Sequence, residues 1–153
     1  MLALALAIGF VAGLRSLTPP AAVSWAAALG WIDLHDTRLH WMGSWVAVAI
    51  FTFLALLELV ADKLPRTPNR TTPGPLVSRM VLGGLSGAAL VVAGHRSLVA
   101  GAAVGAMGAL IGAFAGYQAR YHLVRRLNVK DTAVAIPEDL IAIVLAYLIV
   151  RSA

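Results

Sequence analysis

Five apolar stretches, each close to the thickness of a lipid bilayer, leave this chain few folds to choose from. They run from about Leu2 to Leu29, Trp41 to Val60, Leu76 to Ala93, Leu98 to Tyr117 or a turn beyond, and Thr132 to Val150. A hydrocarbon core about 30 Å thick is crossed by about 20 helical residues. Lipid offers no partner to backbone N–H and C=O groups, so a spanning segment is either a helix or part of a closed barrel. Nothing here alternates with period two. The expectation is an all-α, polytopic membrane helical bundle of about five spans, forming a single domain over residues 1–153. Composition agrees: 60% of residues are hydrophobic and 12% charged, against roughly a quarter charged in a soluble domain.

The connections differ in charge. In residues 31–41, Asp33 and Asp36 against Arg38 give −1; in 61–79, Lys63, Arg66, Arg70 and Arg79 against Asp62 give +3. Residues 117–131 again give +3, from Arg120, Arg125, Arg126 and Lys130 against Asp131. Positive loops stay cytoplasmic. Five crossings then predict a cytoplasmic N-terminus, an outer 31–41 connection and an outer C-terminus, with Trp25, Trp31, Trp41 and Trp45 as an outer aromatic belt. "MLALALAIGFVAGL" lacks the positive start of a signal peptide and reads as a retained span. The net charge of +5 is explained by topology. With no basic helix or aromatic platform, nucleic acid is not an expected partner. The chain has no cysteine, which removes disulfides and thiolate chemistry.

Two spans read as discontinuous. In "GLRSLTPPAAVSW", Arg15 and the Thr18-Pro19-Pro20 step fall in mid-span, where two residues without N–H groups should break the helix. Thr18 reads as the cap of the second half. In the fifth stretch, Pro137 followed by Glu138 and Asp139 resembles a helix start, which leaves too few residues beyond it to cross. A faint repeat, "GFVAGLR" at 9–15 against "GAFAGYQ" at 112–118, would suit a transporter built from broken helices. In the fourth stretch Gly101, Gly105, Gly108, Gly112 and Gly116 form a stripe on one face, expected to serve close helix packing rather than a pore.

Five of the seven acids, Glu58, Asp62, Asp131, Glu138 and Asp139, map to the cytoplasmic ends of the second and fifth spans. Glu58 and Asp62 are four apart and share a helix face. Buried carboxylates need a cation, a proton or a paired base. Three readings follow. Glu58, Asp62, Glu138 and Asp139 could form a cation, metal or proton site, with Lys63, Arg15 and Arg79 as counter-charges. Lys63, Arg70 and Arg79 could bind a phosphate. Or the whole set could be a structural salt-bridge network. His35 and His40 in "HDTRLH" lack a regular metal frame. "NRT" at 69–71 would be an idle sequon in the cytoplasm. Ser16, Ser24 and Ser78 have no His and acid at identifiable spacing, so no enzyme activity is expected.

"ELVADKLPRTP" at 58–68, "RMVLGGLSGAAL" at 79–90 and "PEDLIAIVLA" at 137–146 resemble an uncharacterised bacterial family of small integral membrane proteins. Its members share a Glu-x-x-x-Asp-Lys-x-Pro signature and a late Glu-Asp pair. The resemblance implies that Glu58, Asp62, Lys63, Pro65, Arg79, Glu138 and Asp139 are signature positions, and that the chain sits in the bacterial cytoplasmic membrane. It supplies no activity. The expected function is a small transporter or channel for an ion or solute, with no cofactor beyond a bound cation, assembled as a homodimer in membrane lipid. A non-transporting scaffold is the alternative, with a lipid-modifying enzyme third.

Overall fold

The computed structural model describes residues 1–61, 71–127 and 131–153, with residues 127 and 131–134 described by backbone alone. Its elements are α1 (Leu2–Leu14), α2 (Thr18–Ala28), a short 3₁₀ turn (His40–Gly43), α3 (Trp45–Ala61), α4 (Pro73–Ala93), α5 (Leu98–Leu127) and α6 (Asp131–Arg151). No strand occurs among the described residues. The all-α bundle is as the sequence predicts. α4 and α5 are each long and apolar enough to cross a membrane, whereas α1 and α3 are shorter apolar helices.

Glycine sets the tightest packing. A Cβ at Gly105 would fall 2.3 Å from the Gly83 carbonyl oxygen, one at Gly108 2.2 Å from that of Leu6, and one at Gly112 2.1 Å from that of Phe10. α5 therefore packs backbone to backbone on both α1 and α4, the approach that small residues permit between membrane helices. The glycine stripe is consumed by packing within one chain. These contacts also give directions. Leu6 and Phe10 of α1 face Gly108 and Gly112 of α5, while Gly101 and Gly105 of α5 face Gly87 and Gly83 of α4. So α1 runs parallel to α5 and antiparallel to α4, which brings Met1 beside Gly94.

The first apolar stretch is broken as expected, but not into two halves of one crossing. Arg15 is extended (φ −139°, ψ 111°) and ends α1. α2 then opens at Thr18 with Pro19 in its first turn; Leu17, not Thr18, holds the cap position, and neither side chain caps the helix. From there the chain returns. α6 begins four residues after the end of α5, at the far end from Met1, and runs back past Arg15 through Asp139 to Tyr147, whose ring meets Trp31 edge-on at 5.9 Å. The Arg151 guanidinium lies 4.6 Å over the Trp31 ring. The end of α2 is thus at the same end of the bundle as Met1, and α1–α2 is a helical hairpin. Gly30, in the left-handed region (φ 71°), closes it, with Trp31 N–H donating to Ala26 O at 2.8 Å, a Schellman-type ending.

Two expectations are corrected here. The N-terminus and the 31–41 connection lie at one end, so they do not flank the bundle as a cytoplasmic N-terminus and an outer loop would. The physical reason is length: α1 and α2, with 13 and 11 residues, reach about 20 and 16 Å at 1.5 Å per residue, short of a hydrocarbon core about 30 Å thick. The fifth stretch is also not broken. α6 is continuous with Pro137 inside it; a single proline removes one helical hydrogen bond, and the next turns carry on. No second break matches the one after α1, since α5 continues unbroken to Leu127. That argues against the repeat.

The cysteine-free sequence makes the hairpin directly testable. Leu2→Cys and Arg96→Cys should react with an impermeant maleimide from one side of sealed vesicles, and Arg125→Cys only from the other. Labelling of Leu2→Cys and Arg96→Cys from opposite sides would restore the single-crossing reading.

Candidate functional site

A helix break inside a bundle exposes backbone groups that need partners. The last carbonyls of α1 and the first N–H groups of α2 are orphans by construction. Pro19 and Pro20 remove two of those donors outright, having no N–H. Several of the remaining groups are met by side chains from other helices.

Glu58 of α3 receives the donors. Its Oε1 accepts from Ser16 N–H at 2.8 Å and from the Ser16 hydroxyl at 2.5 Å, and its Oε2 accepts from Leu17 N–H at 2.9 Å. Arg79 of α4 meets the carbonyls, with Nη1 donating to Gly13 O at 2.9 Å and more weakly to Ala12 O at 3.4 Å. Each charge sits where the helix dipole favours it: a carboxylate at the start of α2, a guanidinium at the end of α1. The two meet, Arg79 Nη2 lying 4.0 Å from Glu58 Oε1.

Arg15, at the turn itself, is fully buried and pairs through Nη2 with Asp139 Oδ1 of α6. One residue earlier, Glu138 points to α5 instead, with Oε2 3.5 Å from Arg120 Nη1. Register places the four central groups at one level. Measured along α1, α3, α4 and α6 at 1.5 Å per residue, the tip lies roughly 20 Å from the Met1 end of the bundle. On α4 it lies six residues, about 9 Å, from the Pro73 end.

Of the residues singled out from sequence, Arg15, Glu58, Arg79 and Asp139 converge on the tip. Glu138 stands beside it with Arg120. Asp62 and Lys63 lie outside the described residues, as do Pro65, Arg66, Arg70, Asn69 and Lys130. Glu58 and Asp139 are linked through the hairpin: Glu58 holds Ser16, next to the Arg15 that pairs with Asp139. Among the described residues no group of three His, Cys, Asp or Glu side chains is placed to hold a metal ion. His35 and His40 serve their own loop, His35 N–H donating to Asp33 Oδ1 at 2.9 Å and His40 Nδ1 lying 3.2 Å from Thr37 O.

Two members were not visible as site residues in the sequence. Arg120 reads as a topology charge, yet it stands four residues after Gly116 and so continues the glycine stripe's face. Ser16 reads only as a serine that lacks the His and acid of a nucleophile. Away from the tip, an open groove of about 570 Å³ follows α4 and α5, lined by apolar side chains including Leu39, Val77, Met80, Leu85 and Leu98.

Together these observations define a class: an all-helical, largely apolar bundle in which a helical hairpin is closed at its tip by buried, oppositely charged side chains from three other helices. Within that class, the chain belongs to the family described as Domain of unknown function (DUF4126), whose model matches residues 2–152. No curated protein and no solved structure matched it.

Proposed function

We propose that the protein is a small integral membrane transporter whose working site is the hairpin tip. The observation that carries this reading is the broken backbone itself. Non-helical backbone at membrane depth is tolerated where it is buried in protein or lines a wet cavity, and discontinuous helices meeting at depth are how many secondary transporters build their sites. Ionisable side chains at such depth mark ion or proton pathways by default. Glu58 and Asp139 are the proton-accepting groups of this reading, with Arg15 and Arg79 as counter-charges and Glu138, Asp62 and Lys63 on the approach from the basic end. The bacterial cytoplasmic membrane, with the basic connections inside, and a homodimer compensating for a 16 kDa body complete the proposal.

A scaffold without transport is the second reading, favoured by the ion pairs that Glu58 and Asp139 make. Glu58→Gln separates the two, because the amide keeps the shape and loses the charge. In proteoliposomes with an internal pH dye, a transporter should lose at least about tenfold in proton-coupled flux while keeping its melting temperature within a few degrees. A scaffold would show no flux even as wild type, and the variant would melt markedly lower, since removing one member of a buried pair strands the other.

A further inference from the structure

We infer that the groove along α4 and α5 holds one acyl chain of an anionic phospholipid from the surrounding bilayer, with the lipid phosphate at Arg38 and Arg96. The inference concerns a different face of α4 from the one that carries Arg79, and it stands whether or not the protein transports anything.

The first ground is the shape of the groove. Val77, Met80, Val81, Gly84, Leu85 and Ala88 line it from α4, at spacings that share one helix face. Arg79 leaves α4 on the opposite side. Val77 to Ala88 spans about 16 Å at 1.5 Å per residue, close to one leaflet of a hydrocarbon core about 30 Å thick. The lining is almost wholly apolar, so nothing in it draws a headgroup or a polar solute inward. The volume of about 570 Å³ suits a single extended chain. A helix about 10–12 Å across would overfill it, because this length of such a helix occupies about 1,300–1,800 Å³. Nor do the small residues offer a second copy a free seam. A Cβ at Gly84 would come 3.1 Å from Ala102 O and 3.7 Å from Ala106 Cβ. These residues already face one another, and the floor of the groove is the α4–α5 contact itself.

The second ground is charge at one end. Leu39 and Leu98 line the groove at the Met1 end of the bundle, Leu98 opening α5 after the turn whose Gly94 touches Met1. Arg38 immediately precedes Leu39, and Arg96 stands two residues before Leu98. Both arginines are exposed, and neither joins an ion pair among the described residues. Arg151, at the same end, is instead taken up over the Trp31 ring. Of the nearby acids, Asp33 accepts from His35 N–H within its own loop, and Asp36 is exposed and pairs with neither arginine. Two guanidinium groups at the mouth of a leaflet-deep apolar groove suit a phosphate held at the interface while its chain runs down between the helices. A zwitterionic lipid brings the same chain and phosphate but adds a cation that the arginines repel, so the site selects for net negative charge.

The probes are phosphatidylglycerol and phosphatidylcholine with identical acyl chains, offered in equal amounts to the delipidated full chain in detergent and counted by native mass spectrometry. Wild type should retain one phosphatidylglycerol per chain, preferred over phosphatidylcholine by at least about tenfold. Arg38→Gln with Arg96→Gln should bring that preference near parity, whereas Arg125→Gln with Arg126→Gln, two exposed arginines at the other end, should leave it unchanged. Val81→Trp places an indole in the middle of the groove and should weaken retention of both lipids at least tenfold. No preference in wild type, or a preference that follows Arg125 and Arg126 instead, would overturn the inference. So would a wild-type dimer that Val81→Trp converts to monomer with lipid retention unaltered, since a second copy would then be the occupant. All five positions are exposed; if Val81→Trp nonetheless fails to fold, the comparison of the two arginine pairs decides.

Discussion

Arg15→Met should destabilise the protein by about 3–5 kcal/mol, the range seen when one partner of a buried ion pair is removed. Arg15 is completely buried, and the Asp139 side chain it faces is 10% exposed. Methionine fills a similar volume but leaves the Asp139 carboxylate without its guanidinium in apolar surroundings. Asp139→Leu should be destabilising for the mirror-image reason, leaving the guanidinium at the turn where α1 ends. The double variant Arg15→Met/Asp139→Leu is the discriminating one. Replacing a buried pair by apolar residues is often neutral, so it should be more stable than either single variant. Denaturant titration of all three in detergent gives the coupling directly. Additive losses would mean that the pair is not coupled and that Arg15 stabilises the turn by other contacts.

The all-α fold and most helix boundaries were legible because they depend on local signals. Pro73 opens α4 and the Gly94–His95 turn closes it, within three residues of the stretch read from hydropathy. The direction of the chain after Arg15 was not legible. Hydropathy sees an apolar run of residues 2–29 and cannot tell a kinked crossing from a hairpin, because both bury the same side chains. The distinction lies in non-local partners: Trp31 against Tyr147 and Arg151, and Met1 against Gly94. The charged residues show the same division. That Glu58, Arg79, Arg15 and Asp139 needed partners followed from their apolar surroundings. That Glu58 would take backbone N–H groups at a helix start, and Arg79 the carbonyls at a helix end, required knowing where the break faced. Pro137 misled because its sequence context, a proline followed by two acids, suits a helix start as well as a helix interior; the preceding residues decide, and they are helical.

Gly112→Leu should abolish assembly of the α1–α4–α5 core, and even Gly112→Ala should be severely destabilising. The added Cβ would meet Phe10 O at 2.1 Å, Phe10 C at 2.9 Å and Phe10 Cα at 3.0 Å, all backbone atoms that no rotamer change can move. Relief requires α1 to shift away from α5. That shift cannot stay local, because Gly9 meets Gly105 and Gly13 meets Ala109 and Gly112 along the same seam. It also reaches the tip, since Arg79 holds the Ala12 and Gly13 carbonyls. Separating the helices therefore weakens the closure of the hairpin as well as the packing. A control isolates the effect from the general preference of helices for alanine over glycine. At Gly74, in the first turn of α4, a Cβ would meet nothing within 4 Å, so Gly74→Ala should be neutral or slightly stabilising. Size-exclusion profile and melting temperature in detergent should place Gly74→Ala with wild type and Gly112→Ala well below it. Wild-type behaviour of Gly112→Leu would mean that α1 does not lie on α5, and the hairpin with its charged tip would have to be rebuilt elsewhere in the bundle.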